Sequence, residues 1–252
     1  MGSKLDTAKK MLKNKQFFAL IRSAINYSIL SPIYSFIYYF KVKKIKRKNL
    51  NLDQLIEFTS NKPGHYVASL QVKSEIAHLL EIVRAFKPKT MMEIGTARGG
   101  SLFLFSRVLP ENSFILSLDL PGGSFGGGYP FWKIPLYKSF ASNSQKIELV
   151  RANSHEAKTK DKITEILGER KLDFLFIDGD HTYEGVKRDF ELYSSLVKKG
   201  GIIAFHDVAH HPAETNCNVD KFWGEVKKKY KHKEFIEDKS QGWGGIGVIY
   251  LD

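Results

Sequence analysis

The sequence predicts an α/β fold: a doubly wound, mostly parallel sheet of seven strands, closed by an antiparallel hairpin and preceded by a basic helical segment. Two observations predict it. From residue 91 onward, short apolar runs alternate with stretches of helical period, the pattern of parallel strands joined by covering helices. Acids, glycines and a histidine then gather where those runs end. Ligands of such sheets sit there, beyond the carboxyl ends of the strands.

Composition bounds the rest. A chain of 252 residues, 42% hydrophobic and 26% charged, is long enough for one α/β domain with an appendage. The single cysteine, Cys217, excludes an intramolecular disulfide and a cysteine-rich zinc site. The net charge of +12 is uneven: residues 1–50 carry twelve Lys/Arg against one acid, Asp6, while the other 202 residues carry 27 basic against 26 acidic. The body is nearly neutral, so no nucleic-acid partner is expected, and residues 1–50 divide from a domain spanning 51–252.

Within the basic segment, Phe17 to Phe40 is apolar and tyrosine-rich but interrupted by Arg22, Asn26 and Pro32. A spanning helix needs roughly 20 apolar residues and uneven flanking charge. Here lysines flank both sides, at Lys9–Lys15 and Lys41–Lys48. Two readings stay open: contact of residues 9–48 with an anionic membrane surface, or helices packing on the domain or on a second subunit of a homo-oligomer. No small-residue cleavage site follows the apolar run, and Asp6 stands where N-myristoylation needs Ser or Thr. The expected location is cytoplasmic, at the inner face of the membrane on the first reading.

The elements of the domain follow in order. Asn61-Lys62-Pro63-Gly64 signals a turn, and Gln71 to Phe86 carries Val72, Ile76, Leu79, Leu80 and Val83 at helical spacing before Pro88 closes the run. Strands are predicted at 91–95, 113–120, 146–152, 172–179 and 200–208, with 233–238 and 245–252 as the closing pair. Helices are predicted at 99–109, 156–167, 184–197 and 219–230.

The first strand runs into Glu93-Ile94-Gly95-Thr96-Ala97-Arg98-Gly99-Gly100-Ser101. Glycines there allow close backbone approach and a turn into a helix whose N–H groups face a ligand. The spacing is not G-x-G-x-x-G, so a dinucleotide pyrophosphate is poorly served. Glu93 instead suits a ligand with a cationic end, such as an amino acid or a sulfonium. Asp119 ends the second strand about 24 residues after Gly95, where a carboxylate takes ribose hydroxyls. Taken alone, the glycines also fit a tight turn with no ligand.

Together, MMEIGTARGGSL, the Asp119 strand end, FIDGDHTYEGVKRDF and GGIIAFHDV resemble class I S-adenosylmethionine-dependent methyltransferases. The branch most similar contains macrolide-sugar O-methyltransferases and cephalosporin-hydroxylase-like proteins, and the resemblance covers roughly residues 65–252. It implies a Rossmann-like sheet and S-adenosyl-L-methionine held by Glu93, Gly95, Thr96, Ala97, Gly99, Ser101, Asp119, Asn153, Ser154 and Asp178. It implies a divalent metal, magnesium, on Asp178 and Asp207, and His181 as general base beside Asp178. His206 stands where the family often has an acid; as a ligand it would favour manganese, iron or zinc, and it need not ligate. The acceptor implied is a hydroxyl of a sugar, glycan or other small molecule.

Alternatives remain for single residues. Asp180 reads as a ligand or as the cap of a helix starting near Tyr183. His181 reads as a base or as a loop histidine, and His210 and His211 as pocket walls or solvated side chains. The glycine-rich run 121–132 reads as a mobile flap over the site or as a surface loop. For the whole chain, a nicotinamide-dependent oxidoreductase and a non-catalytic membrane-associated binding protein compete with the methyltransferase reading.

Overall fold

A computed structural model describes residues 30–62, 65–122, 128–142 and 144–252. Most of the apolar N-terminal run, Pro63-Gly64 of the predicted turn and the centre of the predicted flap lie outside the described residues.

Seven strands form one sheet: β1 Thr90–Ile94, β2 Phe114–Asp119, β3 Lys146–Arg151, β4 Leu172–Ile177, β5 Val197–His206, β6 Lys231–Phe235 and β7 Ile246–Tyr250. Their spatial order is β3-β2-β1-β4-β5-β7-β6; β1 to β5 run parallel, and β7 is antiparallel to both neighbours. β1, β2 and β4 are buried at every residue. Covered on both faces, they read as mostly apolar runs, broken only by Glu93, Ser117 and Asp173 before their ends, rather than as alternation.

Among the described residues there are eight α-helices: α1 Ser31–Lys46, α2 Leu52–Phe58, α3 Lys73–Phe86, α4 Gly100–Val108, α5 Ile134–Lys138, α6 Ala157–Leu167, α7 Tyr183–Tyr193 and α8 Val219–Val226. One apolar layer joins α1 to α5 to the sheet through Tyr38, Val42, Leu79, Phe103 and Phe176; the other joins α6 to α8 through Ile163, Val186 and Trp223. α3 ends where Lys87 turns left-handed (φ 54°) before Pro88, as the sequence predicts. The last predicted helix is shorter than expected, stopping at Val226. The polar run after it enters edge strand β6 at Lys231, where one-sided cover permits exposed lysines.

The register places the site. Ile94 of β1 pairs with Leu118 of β2 and with Ile177 of β4, and Ile177 pairs with Phe205 of β5. One residue further along each strand, Asp119, Gly95, Asp178 and His206 therefore stand in a row across the carboxyl edge. Four residues spread over more than a hundred positions become neighbours because parallel strands lie only about 5 Å apart.

Candidate active site

Gly95 (φ 90°) turns the chain out of β1 in a conformation that side-chain-bearing residues avoid, and a Cβ there would overlap the Asp178 carbonyl. The turn brings the backbone N–H of Ala97, itself left-handed (φ 43°), to donate to Asp119 Oδ2 at 2.8 Å. The Tyr137 hydroxyl steadies the loop by donating to the Ala97 carbonyl at 2.9 Å, and its ring fills the space a Cβ on Gly99 would take. Burial pushes the Asp119 carboxyl up to about 6, against the donors Ala97, Tyr129, Leu120 and Thr96.

A cleft opens beside this row, lined by Gly95, Ala97, Asp119, Asn153, Ser154 and Asp178 among others. Six of the residues expected to hold the cofactor thus share one wall. Thr96 and Ser101 line a second cavity with Gln71, Arg98, Asp178, His181 and His206, and Gly95, Ala97 and Asp178 border both. Glu93 and Gly99 sit apart from these walls. Glu93 is fully buried and accepts from the Thr96 hydroxyl at 2.9 Å. Burial pushes its carboxyl up to about 8, against hydrogen bonds from Ser101 and Thr96.

Around Asp178 and Asp207 the charges interlock. His206 Nδ1 stands 3.0 Å from Asp178 Oδ1 and 3.3 Å from Asp207 Oδ1. His181 Nδ1 donates to Asp207 Oδ2 at 2.7 Å, while its Nε2 lies 3.7 Å from Asp178 Oδ1. Burial disfavours the charged form of His181, yet hydrogen bonds to Asp207 and Cys217 and the charge of Asp178 outweigh it and push the imidazole up to about 10. The same two acids hold His206 well above its ordinary value despite full burial. Burial alone would raise Asp207, but His206, His181 and His211 keep it far below the usual carboxylate range.

Gln71, Glu75 and Gly244 carry no sequence signal as partners here, whereas His211 reads from the sequence as a pocket wall or a solvated side chain. The Gln71 side chain donates to Asp178 Oδ2 at 2.7 Å from the segment before α3. His211 is buried with Nε2 at 3.2 Å from Asp207 Oδ1, whereas His210 is exposed beside Asp220. The Gly244 N–H donates to Asp207 Oδ1 at 3.1 Å, from a loop held by buried Glu75, which accepts from Gly245 N–H at 2.7 Å and the Gln241 amide at 2.8 Å. On the cleft floor His155 Nε2 stands 3.4 Å from Oδ1 of fully buried Asp189, at ion-pair distance but not aligned as a hydrogen bond. A His-Asp pair in a polar run had no periodic pattern to reveal it.

Asp180 lines the nucleoside cleft and is not the cap of α7. Thr182 takes that position, its hydroxyl accepting from Gly185 N–H at 3.0 Å, while Asp180 Oδ1 accepts from Thr182 N–H at 2.9 Å.

Residues 92–208 match the methyltransferase-domain family. Over that stretch, just under half of its length, the chain is similar to methyltransferase domains. It is 27% identical over 172 residues to a caffeoyl-CoA O-methyltransferase of Populus kitakamiensis, covering 67% of each chain. It is 34% identical over 138 residues to an uncharacterised protein of Acanthamoeba polyphaga mimivirus, covering 52% of this chain and 58% of that one. It spans only 16% of the length of an uncharacterised Sinorhizobium fredii protein to which it is 26% identical over 148 residues, 58% of this chain. The fold matches that of an O-methyltransferase from Bacillus cereus in complex with SAH, with a TM-score of 0.53 and 14% identity, over 92% of this chain and 97% of that one.

Proposed function

We propose that the protein transfers the methyl group of S-adenosylmethionine to a hydroxyl of a sugar, glycan or other small-molecule acceptor, with a divalent cation assisting. The observation that carries the reading is the pair of cavities meeting at Gly95 and Asp178, one walled by Asp119, Asn153 and Ser154 and the other by Gln71, His181 and His206. A donor in the first and an acceptor in the second would meet across that rim, so the protein's main task is alignment. The polar wall of the second cavity, with Arg98 and Gln71, suits a hydroxylated acceptor.

Asp178, Asp207 and His206 fit a cation. Their donor atoms converge within 4.8 Å of one another, with His206 Nδ1 3.0 and 3.3 Å from the two carboxylates, so the three would together hold one hard divalent ion. A bound divalent ion supplies Lewis-acid polarisation of a hydroxyl and offsets the carboxylate charge that holds protons on the imidazoles. His181, oriented through Nδ1 by Asp207, accepts the acceptor's proton at Nε2. The displaced product is S-adenosylhomocysteine, and the new bond joins the methyl carbon to the acceptor oxygen.

Calorimetric titration with S-adenosylhomocysteine tests the donor half, and micromolar binding is expected. Turnover of hydroxylated acceptors with and without chelator tests the other half. Undiminished turnover after chelation would remove the cation from the mechanism, and absence of nucleoside binding by folded protein would overturn the reading as a whole.

A further inference from the structure

The outward face of α1 is the least expected surface of the molecule. The helix packs on the domain through Ser35, Tyr38 and Val42, with Ser31 bonded to the Tyr66 hydroxyl at 2.7 Å and to the Trp132 indole at 3.1 Å. Ile33, Phe36, Ile37 and Phe40 lie on the opposite side, 42–66% exposed. Their i, i+3, i+4, i+7 spacing makes one stripe, the pattern that ordinarily faces a core. Four large apolar side chains in water are costly to maintain without a use.

The same helix continues into Lys41, Lys43 and Lys44, and Arg47 and Lys48 follow directly after its end, all exposed. At 100° per residue, Lys44 falls on the side that bears the apolar stripe, about one turn beyond Phe40. No acid occurs between Ser31 and Leu50, and none of the ion pairs among the described residues involves this run. Only Lys46 turns inward, donating to the carbonyls of Ser139 and Ala141. The rest of the body is nearly neutral, so this charge is local rather than general.

We infer that the outward face of α1 docks the protein on an anionic lipid bilayer, with Ile33, Phe36, Ile37 and Phe40 in the interfacial layer and the lysines at the phosphates. No helix among the described residues is long and apolar enough to cross a membrane. A second copy of the chain would satisfy the apolar stripe equally well, but it would bring together two clusters of five cations that have no acidic partner. Charge complementarity selects the lipid. α1 also contacts Trp132, three residues from buried Tyr129, whose N–H bonds Asp119. Docking therefore sets the bilayer close to the segment that borders the nucleoside cleft.

The test is co-sedimentation of the full chain with vesicles of phosphatidylcholine alone and of phosphatidylcholine with phosphatidylglycerol. Binding is expected only to the anionic vesicles and should weaken as salt rises. Two variants share the assay: Phe36→Ser with Phe40→Ser, and Lys43→Glu with Lys44→Glu and Lys48→Glu. The residues are exposed, so both should fold and bind S-adenosylhomocysteine as the parent does. Replacing three lysines near such a surface should weaken binding by more than about 100-fold, since each contributes about a factor of five. No vesicle binding, or binding that both variants leave intact, overturns the inference. A dimer that Phe36→Ser with Phe40→Ser dissolves, without lipid binding, assigns the face to a second copy instead. Because nucleoside binding is read separately, failure here leaves the methyltransferase reading standing.

Discussion

Replacing Glu93 with Gln should stabilise the ligand-free protein at pH 8 and much less at pH 5. In the unfolded chain the Glu93 proton leaves near the ordinary 4.5; in the folded protein, burial holds it until about 8. Between those values the unfolded chain releases a proton that the native state keeps, so native stability falls as pH rises through the window and levels off above it. The gap, at about 1.36 kcal/mol per pH unit, sets an upper bound of about 5 kcal/mol. Relaxation of the site will return part of it, leaving about 2–3 kcal/mol. The Gln carbonyl still accepts from the Thr96 hydroxyl, now 2.9 Å from Glu93 Oε2, but it has nothing to titrate. For a chain of this size each kcal/mol moves Tm by about 2–4 °C, so the variant's advantage should grow by about 5–10 °C from pH 5 to pH 8. Thermal unfolding followed by circular dichroism at four pH values reads it directly. A Tm difference that stays constant across the series would show that Glu93 holds no proton in the folded state.

The same logic with the opposite sign applies to His181. Its raised value contributes stability that is complete below about 6.5 and lost as pH rises through about 10, so His181→Gln should flatten the alkaline limb of denaturant-unfolding curves in metal-free protein. Asp207→Ala leaves His181, His206 and His211 without their shared acceptor. Turnover should fall by at least about 100-fold in an initial-rate assay while S-adenosylhomocysteine affinity changes little. Asp119→Asn should weaken that affinity about tenfold by calorimetry, because one carboxylate oxygen already accepts from Ala97 and the other wall of the cleft does not compensate. Gly95→Ala should cost more than about 3 kcal/mol in urea unfolding, since φ 90° disfavours any side chain and the Cβ would strike the Asp178 carbonyl. Equal stability of that variant and the parent would mean that the β1 and β4 ends are not packed as described.

Strand and helix positions were legible because each is a local pattern, and a sheet buried on both faces writes its strands as apolar runs such as Phe174-Leu175-Phe176-Ile177. Glycines and acids at strand ends were legible for the same reason: Gly95, Asp119, Asp178 and Asp207 each follow an apolar run that names its own end. What each acid meets was not legible. Gln71 reaches Asp178 across 107 positions, and Glu75 secures Gly245 across 170, through contacts that register and loop packing alone create. The cap of α7 went to Thr182 rather than Asp180 because two side chains of similar chemistry compete for one helix end, and backbone geometry chooses between them. The exposed stripe on α1 shows the same division: its apolar period was present in the sequence, but only the packing of Tyr38 and Val42 decided which side of the helix was left facing out. By itself the sequence determined the fold class, the strand ends and the residue types of the site, since these depend on neighbours in the chain. The tertiary structure decided the partners, the charge states and the free surface, because those depend on atoms that the chain brings together from far apart.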